Sequence, residues 1–432
     1  MKMVTFSPGF KRYFLSTGWL LSERVFRSLL NVTVGVYVAR YLGASDFGLL
    51  SYARSFVYLF SAFAALGLHN IVIRDLVQEK GKRDEILGTT LILRLFGSFL
   101  ALCLIAFAVN FTNNDRFTNL LIFIIATRFF FRSFEVIDLY FRSEVTSKFS
   151  AYALIISGIA GAVLKLLFIF LGKGLIYFAS MAMVENLIFA VALVVFYRRQ
   201  KLKLWDWKPK FEMGKRLLKD SWPIMMTGLA VTLYMRIDQV MVKNLLGTVA
   251  VGNYAVAVTL AEVWYFMPMI ITSSLFPAIV NARKVSEDLF FSRLQKLYDL
   301  MVWFALGIAL FYTLFADQIV QLLFGSQYQA SSGILKIYIW SGIAVFLGNA
   351  WSKWLLMENK QKFIFFSHTI ILIANILLNF LLIKRIGITG AAWATLISYS
   401  LGQVIALLLY ERKTNVRMAL QILNPIKYFK HK

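Results

Sequence analysis

Twelve of the 46 basic residues lie inside long apolar runs: Arg24, Arg27, Arg40, Arg54, Arg94, Arg128, Arg132, Lys165, Arg236, Lys243, Lys336 and Lys353. A cation at the centre of a membrane helix costs about 2.5–3.5 kcal/mol on insertion scales. Arg40, Lys243 and Lys353 are close enough to helix ends to snorkel toward the interface. The rest are too deep or too numerous for that, so they need counter-charges or water. Some counter-charges stand on the same helix. Glu23 precedes Arg27 by four residues, and Glu135 follows Arg132 by three, with Arg128 on the same face. Arg236 and Asp238 are two apart and point to different faces, so Asp238, like Glu185 and Glu262, needs a partner on another helix or a proton. After this pairing an excess of positive charge remains, most of it in the first half of the chain.

Two arrangements fit that excess. One is a set of fixed interhelical salt bridges with no ligand. The other is a wet, cationic chamber for an anionic substrate. Arginine suits the second, because its guanidinium stays charged and forks onto phosphate oxygens, as a diphosphate headgroup would require. The candidate substrate-binding residues are Arg24, Arg27, Asn31, Arg54, Arg94, Arg128, Arg132, Lys165 and Arg236. Asp238 and Glu262 are candidate proton or sodium sites, since buried carboxylates titrate near neutrality. A polar stripe of His368, Asn375 and Asn379 either lines a cavity or makes helix-to-helix hydrogen bonds.

The elements that position these residues follow from composition. The chain is 59% hydrophobic and only 16% charged over 432 residues, with a mean hydropathy of +0.69. A soluble domain is about 45–50% apolar, so the bilayer is the expected solvent. Apolar runs of about 20 residues, the length that crosses roughly 30 Å of hydrocarbon, recur at 14–41, 47–68, 86–109, 118–141, 149–171 and 175–197. They continue at 221–246, 250–276, 298–323, 332–357, 363–383 and 387–410. The expected class is therefore an all-α membrane protein of about twelve transmembrane helices in two six-helix lobes around a central cavity.

Loop charges orient it. With the N-terminus inside, the segments on the inner side hold 30 Lys or Arg and those on the outer side hold four: Arg116, Lys173, Lys384 and Arg385. That asymmetry is the positive-inside signature and places both termini in the cytoplasm. The first apolar run carries Glu23, Arg24 and Arg27 and no small-residue cleavage site, so it is expected to remain as the first helix. The lobes are expected at 1–200 and 220–410, joined by a basic cytoplasmic linker at 201–219 and followed by a basic tail at 411–432. The linker either lies on the anionic leaflet or is a plain connection. The net charge of +24 is spread between apolar runs rather than over a soluble domain, so nucleic acid is not the expected partner. The three histidines are scattered and the single Cys103 sits in an apolar run, so no metal site is expected. No nucleophile elbow, P-loop or large catalytic loop is present, and an enzyme is not expected.

The two halves share a pattern. Leu42-Gly43-Ala44-Ser45-Asp46-Phe47-Gly48 and Leu246-Gly247-Thr248-Val249-Ala250-Val251-Gly252 both read L-G-x-x-x-x-G at the first hairpin of each half. An aromatic-Ala pair follows each, Tyr52-Ala53 and Tyr254-Ala255. The glycines suit a tight outer turn. Six helices per half is an even number, so the repeats run parallel.

Two stretches, VGVYVARYLGASDFGLLSYARSF and RIDQVMVKNLLGTVAVGNYAVAVTLAEVWYFMPMIITSSLFPAI, carry a family resemblance. In the second, Arg236, Asp238, Gly247, Gly252, Tyr254, Glu262, Pro268 and Phe276-Pro277 fall as in Wzx-type oligosaccharide flippases, the polysaccharide-transporter branch of the MOP exporter superfamily. The chain resembles that family in helix number and loop sizes along nearly its whole length. The resemblance implies a MATE-like fold of two lobes around a V-shaped cavity. It implies a flippase in the cell inner membrane that moves undecaprenyl-diphosphate-linked oligosaccharide, such as an O-antigen repeat unit of lipopolysaccharide biosynthesis, to the periplasmic face. Alternating access would carry the substrate, coupled to H+ or Na+ with no other cofactor. Membrane lipids, a polysaccharide polymerase and a chain-length regulator are the implied partners of a monomer. In related peptidoglycan-precursor flippases, first-helix arginines meet the lipid diphosphate, and Arg24 or Arg27, and Arg54, stand in comparable places. Those relatives carry two further helices, a departure that argues against peptidoglycan precursor as the substrate. A MATE-like multidrug or toxin antiporter and a membrane enzyme of glycan assembly are the competing readings. Cationic drugs would call for buried carboxylates, whereas this interior is net basic.

Overall fold

The structure is a computed structural model that describes residues 8–358 and 360–409 together with Met418, Gln421 and Ile422. The remainder of the expected basic tail, and Lys2, lie outside the described residues. No strand occurs among the described residues; helices take every expected span. Helix α1 (Pro8–Leu59) covers the first two spans, and α2 (Ser61–Ala65) and α3 (His69–Gln78) carry the chain out of the second. Then α4 (Arg83–Val109) forms the third span and α5 (Arg116–Ala126), α6 (Arg128–Arg132) and α7 (Val136–Ser143) the fourth. The fifth to seventh are α8 (Lys148–Phe170), α9 (Leu175–Arg199) and α10 (Phe211–Leu246). In the second half, α11 (Thr248–Glu262) with α12 (Phe266–Arg283) is the eighth, α13 (Glu287–Phe324) the ninth, and α14 (Ala330–Tyr338) with α15 (Ser341–Met357) the tenth. The last two are α16 (Gln361–Ile386) and α17 (Ile388–Leu409).

The protein is a multi-pass membrane protein. The most apolar stretch of α8 has only 22% of its residues buried by protein, and exposed apolar side chains such as Ile156, Ile159 and Val163 call for a lipid cover. By length and composition, eight of the described spans pass as membrane-crossing helices. Helix α10 and the broken α5–α7 are not among them, and these carry Arg128, Arg132 and Arg236. Interior charge also sits on spans that do pass, Arg94 on α4 and Lys165 on α8.

The L-G-x-x-x-x-G repeat is structural. Gly43 (φ 74°, ψ 171°) and Gly247 (φ 88°, ψ −178°) adopt the same left-handed backbone, and each joins two helices head to tail. A side chain there would pay the steric cost that glycine escapes. The same local sequence makes the same corner in each half.

By packing, the chain forms two compact units, Met1–Val240 and Met241–Lys432. The core of the first gathers Val136, Ile137, Leu139 and Phe141 from α7 with Leu193 and Tyr197 from α9 and Leu217 from α10. The core of the second is aromatic: Trp351 and Trp354 of α15 pack with Phe290, Leu294 and Tyr298 of α13. The two asparagines of the polar stripe on α16 bond once along the helix and once across to its neighbour. Asn379 donates to Asn375 Oδ1 at 3.0 Å, and Asn375 donates to Ser398 Oγ of α17 at 3.3 Å, both asparagines fully buried.

The basic segment after α9 is held on the first unit. The Trp207 indole N–H donates to the Tyr197 hydroxyl at 3.0 Å. Lys210 pairs with Glu85 at 2.5 Å, Arg216 with Asp75 at 3.1 Å and with Glu79 at 2.7 Å, and Arg74 with Asp220 at 2.7 Å. These pairs tie the segment to α3 and α4.

Candidate functional site

The first unit encloses a cavity of about 460 Å³ among α1, α6–α7, α8 and α9. Its wall carries six cations, Arg27, Arg54, Arg128, Arg132, Arg142 and Lys165, against three carboxylates, Glu135, Asp138 and Glu185. Asn31, Ser157 and Asn186 add neutral polar groups.

Local structure explains why these residues meet. The fourth span breaks twice, after Ala126 and through a 3₁₀ turn at Ser133–Glu135. Ser133 donates back to the Phe129 carbonyl at 3.2 Å, and Ser98 of α4 donates to the same carbonyl at 3.0 Å. Hydroxyls that compete for a helix carbonyl bend the helix. Here the bend fans Arg128, Arg132, Glu135, Asp138 and Arg142 along one wall. Helix α1 supplies Arg27, Asn31 and Arg54, and Lys165 of α8 faces Glu185 of α9.

Carboxylates hold some of the cations. Arg27 Nε lies 2.8 Å from Glu23 Oε1, and Glu23 is buried. Arg142 donates to Asp138 Oδ2 at 2.9 Å. Lys165 pairs with Glu185 at 2.6 Å, and Arg132 stands 3.4 Å from Glu135. Arg54 and Arg128 differ: among the described residues neither makes an ion pair, and the buried Arg128 Nε has no hydrogen-bond partner. These two guanidiniums carry the charge that the wall leaves uncompensated.

Six of the nine expected substrate residues therefore share one cavity: Arg27, Asn31, Arg54, Arg128, Arg132 and Lys165. Three stand elsewhere. Arg24 is exposed on α1 outside the wall. Arg94 is 3% exposed behind the wall and donates to Glu135 Oε2 at 2.9 Å. Arg236 lies over the Tyr58 ring at 5.7 Å. Of the expected coupling residues, Asp238 is buried in α10 and accepts from the Gln239 backbone N–H at 2.7 Å. Glu262, at the end of α11 before a 3₁₀ break, accepts from the Tyr338 hydroxyl at 3.1 Å. The expected fourth span ends at residue 141, so Arg142 counts among the inner-side loop charges and is missed as part of the wall. The signal was the Asp138–Arg142 spacing of four, which brings both onto one helix face.

The Lys165–Glu185 pair depends on Gly161. A methyl group at Gly161 would overlap the Glu185 carboxylate. Gly161→Ala is therefore expected to push the Glu185 carboxylate aside into the cavity and separate it from Lys165, at the low end of the about 1–3 kcal/mol range of overpacking. Thermal unfolding of the purified variant measures this. Restored stability in Gly161→Ala with Glu185→Ala would place the clash at that carboxylate.

A family model described as polysaccharide biosynthesis protein matches residues 15–283, more than half of the chain. The chain belongs to the polysaccharide biosynthesis protein family. This bears out the resemblance carried by the two motif stretches. A second model, MatE, matches residues 223–381. No curated protein sequence matches the chain. Solved structures share the MATE-like fold expected of this family member. An inward-facing multidrug resistance MATE family transporter of the MOP superfamily aligns with a TM-score of 0.70 at 16% identity, over 91% of this chain and 95% of that one. The lipid II flippase MurJ, in an inward closed conformation, aligns at 0.69 and 17% identity, over 95% and 90%. The Vibrio cholerae MATE transporter VcmN aligns at 0.62 and 14% identity, over 93% and 96%.

Proposed function

We propose that this family member is a flippase for oligosaccharide repeat units carried on undecaprenyl diphosphate. It would sit in the cell inner membrane with both termini in the cytoplasm and open its cationic cavity alternately to the two faces. The observation that carries this reading is the pair of guanidiniums, Arg54 and Arg128, which among the described residues make no ion pair in a cavity of six cations and three carboxylates. A diphosphate supplies the missing negative charge. Glu135, Asp138 and Glu185 on the wall, and Glu23 beside it, hold the other cations in place until it arrives. A net basic wall is unsuited to cationic drugs, which sets the reading apart from a multidrug antiporter. O-antigen is a fitting cargo, with a polymerase and a chain-length regulator acting on it afterwards. Asp238 and Glu262 are the proposed sites of proton or sodium coupling. Loss of pH dependence in the Asp238→Asn and Glu262→Gln variants supports that assignment; an unchanged profile in both removes it.

The test is translocation of a fluorescent lipid-linked oligosaccharide by purified protein in liposomes, with drug efflux measured in parallel. Flipping without efflux supports the proposal. Efflux of a cationic drug with no flipping makes the antiporter reading correct, and formation of a new glycosidic bond makes the protein an enzyme.

A further inference from the structure

The second unit contains a groove of about 540 Å³ between α12 and α13, lined by none of the residues of the cationic cavity. Its wall is almost wholly apolar. Helix α12 contributes Leu275, Ala278 and Ile279, and α13 contributes Leu297, Leu300 and Trp303. Leu275, Leu300 and Trp303 are exposed, so the groove opens outward to the surrounding lipid. Its two cations cluster at one end. Arg293 and Lys296 stand there, three residues apart, and Leu300 and Trp303 continue the same face at steps of four and three. That end lies beside the turn between Arg283 and Glu287, on the basic side of the membrane as the loop charges orient it.

The dimensions suit a headgroup with the first part of its chain. From Arg293 to Trp303 the helix rises about 15 Å, and the expected span begins at 298, so the basic end stands at headgroup level and Trp303 lies about halfway into the inner leaflet. A headgroup at the basic end would therefore lay the upper half of its chain along the apolar wall. The acid in the wall does not cancel the cations. Asp299 is buried and accepts from Gln295 Nε2 at 2.7 Å. Arg293 spends one N–H on the Ala278 carbonyl, at 2.6 Å. A guanidinium has five, so the others remain for a phosphate oxygen. That bond also fixes the guanidinium at the groove mouth, where a free side chain would have to be ordered on binding.

We propose that this groove is a binding site for an anionic glycerophospholipid of the cytoplasmic leaflet, its phosphate held by Arg293 and Lys296 and one acyl chain lying on Leu300 and Trp303. The site would anchor the α12–α13 hairpin in the leaflet from which the chain's basic loops already draw negative charge.

Native mass spectrometry of the full-length protein tests it, with phosphatidylglycerol and phosphatidylethanolamine as paired probes. The expected result is about tenfold stronger retention of phosphatidylglycerol, falling to parity in the Arg293→Gln, Lys296→Gln double variant. Trp303→Ala should weaken both lipids. The control pair Lys201→Gln, Lys203→Gln removes the same charge from another basic segment and should leave the preference intact. Equal retention of the two lipids by the native protein overturns the proposal. So does a preference that survives the double variant or is lost equally in the control. Displacement of phosphatidylglycerol by millimolar inorganic phosphate would make it a soluble-anion site. Displacement by equimolar undecaprenyl phosphate would make it a seat for the cargo's tail. Either result also overturns the phospholipid assignment.

Discussion

Arg54→Ala and Arg128→Ala are each expected to lower translocation of a lipid-linked oligosaccharide by tenfold to a hundredfold while the protein stays folded in the membrane. Both guanidiniums line the cavity and neither makes an ion pair among the described residues. Removing one leaves no buried carboxylate unpartnered, so the fold is spared. What is lost is a charge-assisted contact to phosphate, worth about 1.5–3 kcal/mol, and 1.4 kcal/mol is a factor of ten. Arg54→Lys should fall between, because an ammonium keeps the charge but not the fork. Arg27→Ala should behave differently. Its guanidinium holds the buried Glu23 at 2.8 Å, so the loss appears first as less folded protein. Liposome translocation normalised to membrane-embedded protein separates the two effects. Native rates in both Arg54→Ala and Arg128→Ala would sink the diphosphate site.

Arg94→Met is expected to destabilise the protein by about 3–5 kcal/mol, the cost of removing one partner from a buried ion pair. Arg94 is 3% exposed, and its Nη1 lies 2.9 Å from Glu135 Oε2. With the arginine gone, Glu135 keeps only the longer contact to Arg132 at 3.4 Å. Adding Glu135→Gln should recover most of the loss. Arg132 then loses its carboxylate, but its side chain is 49% exposed to the cavity, where water can take over. Thermal unfolding of the single and double variants decides the role of Arg94. A single variant that unfolds normally but fails to transport would return Arg94 to the substrate-binding set.

The placement of Arg94 shows where reading the chain in one dimension stops. Its depth in the third span was legible, because each charge among apolar neighbours marks a position along the membrane normal. The side it faces was not. That depends on the rotation of α4, which Ser98 sets by bonding across to the Phe129 carbonyl of α6 at 3.0 Å. Arg236 followed the same course: deep in the seventh span by sequence, yet against Tyr58 rather than in the cavity wall.

Some features needed no tertiary information. The twelve spans follow from the cost of exposing backbone and charge to hydrocarbon. The matched corners at Gly43 and Gly247 follow from a local sequence that only glycine satisfies. The excess of interior positive charge was countable from the residues alone. The tertiary structure decided which of those charges meet. The breaks in the fourth span turned Arg142 from loop charge into cavity wall, and set Glu135 between Arg94 and Arg132. Helix packing gave Lys165 to Glu185 and left Arg54 and Arg128 without an ion pair among the described residues. Pairing depends on distances of a few ångströms between helices far apart in sequence, which hydropathy and spacing do not encode.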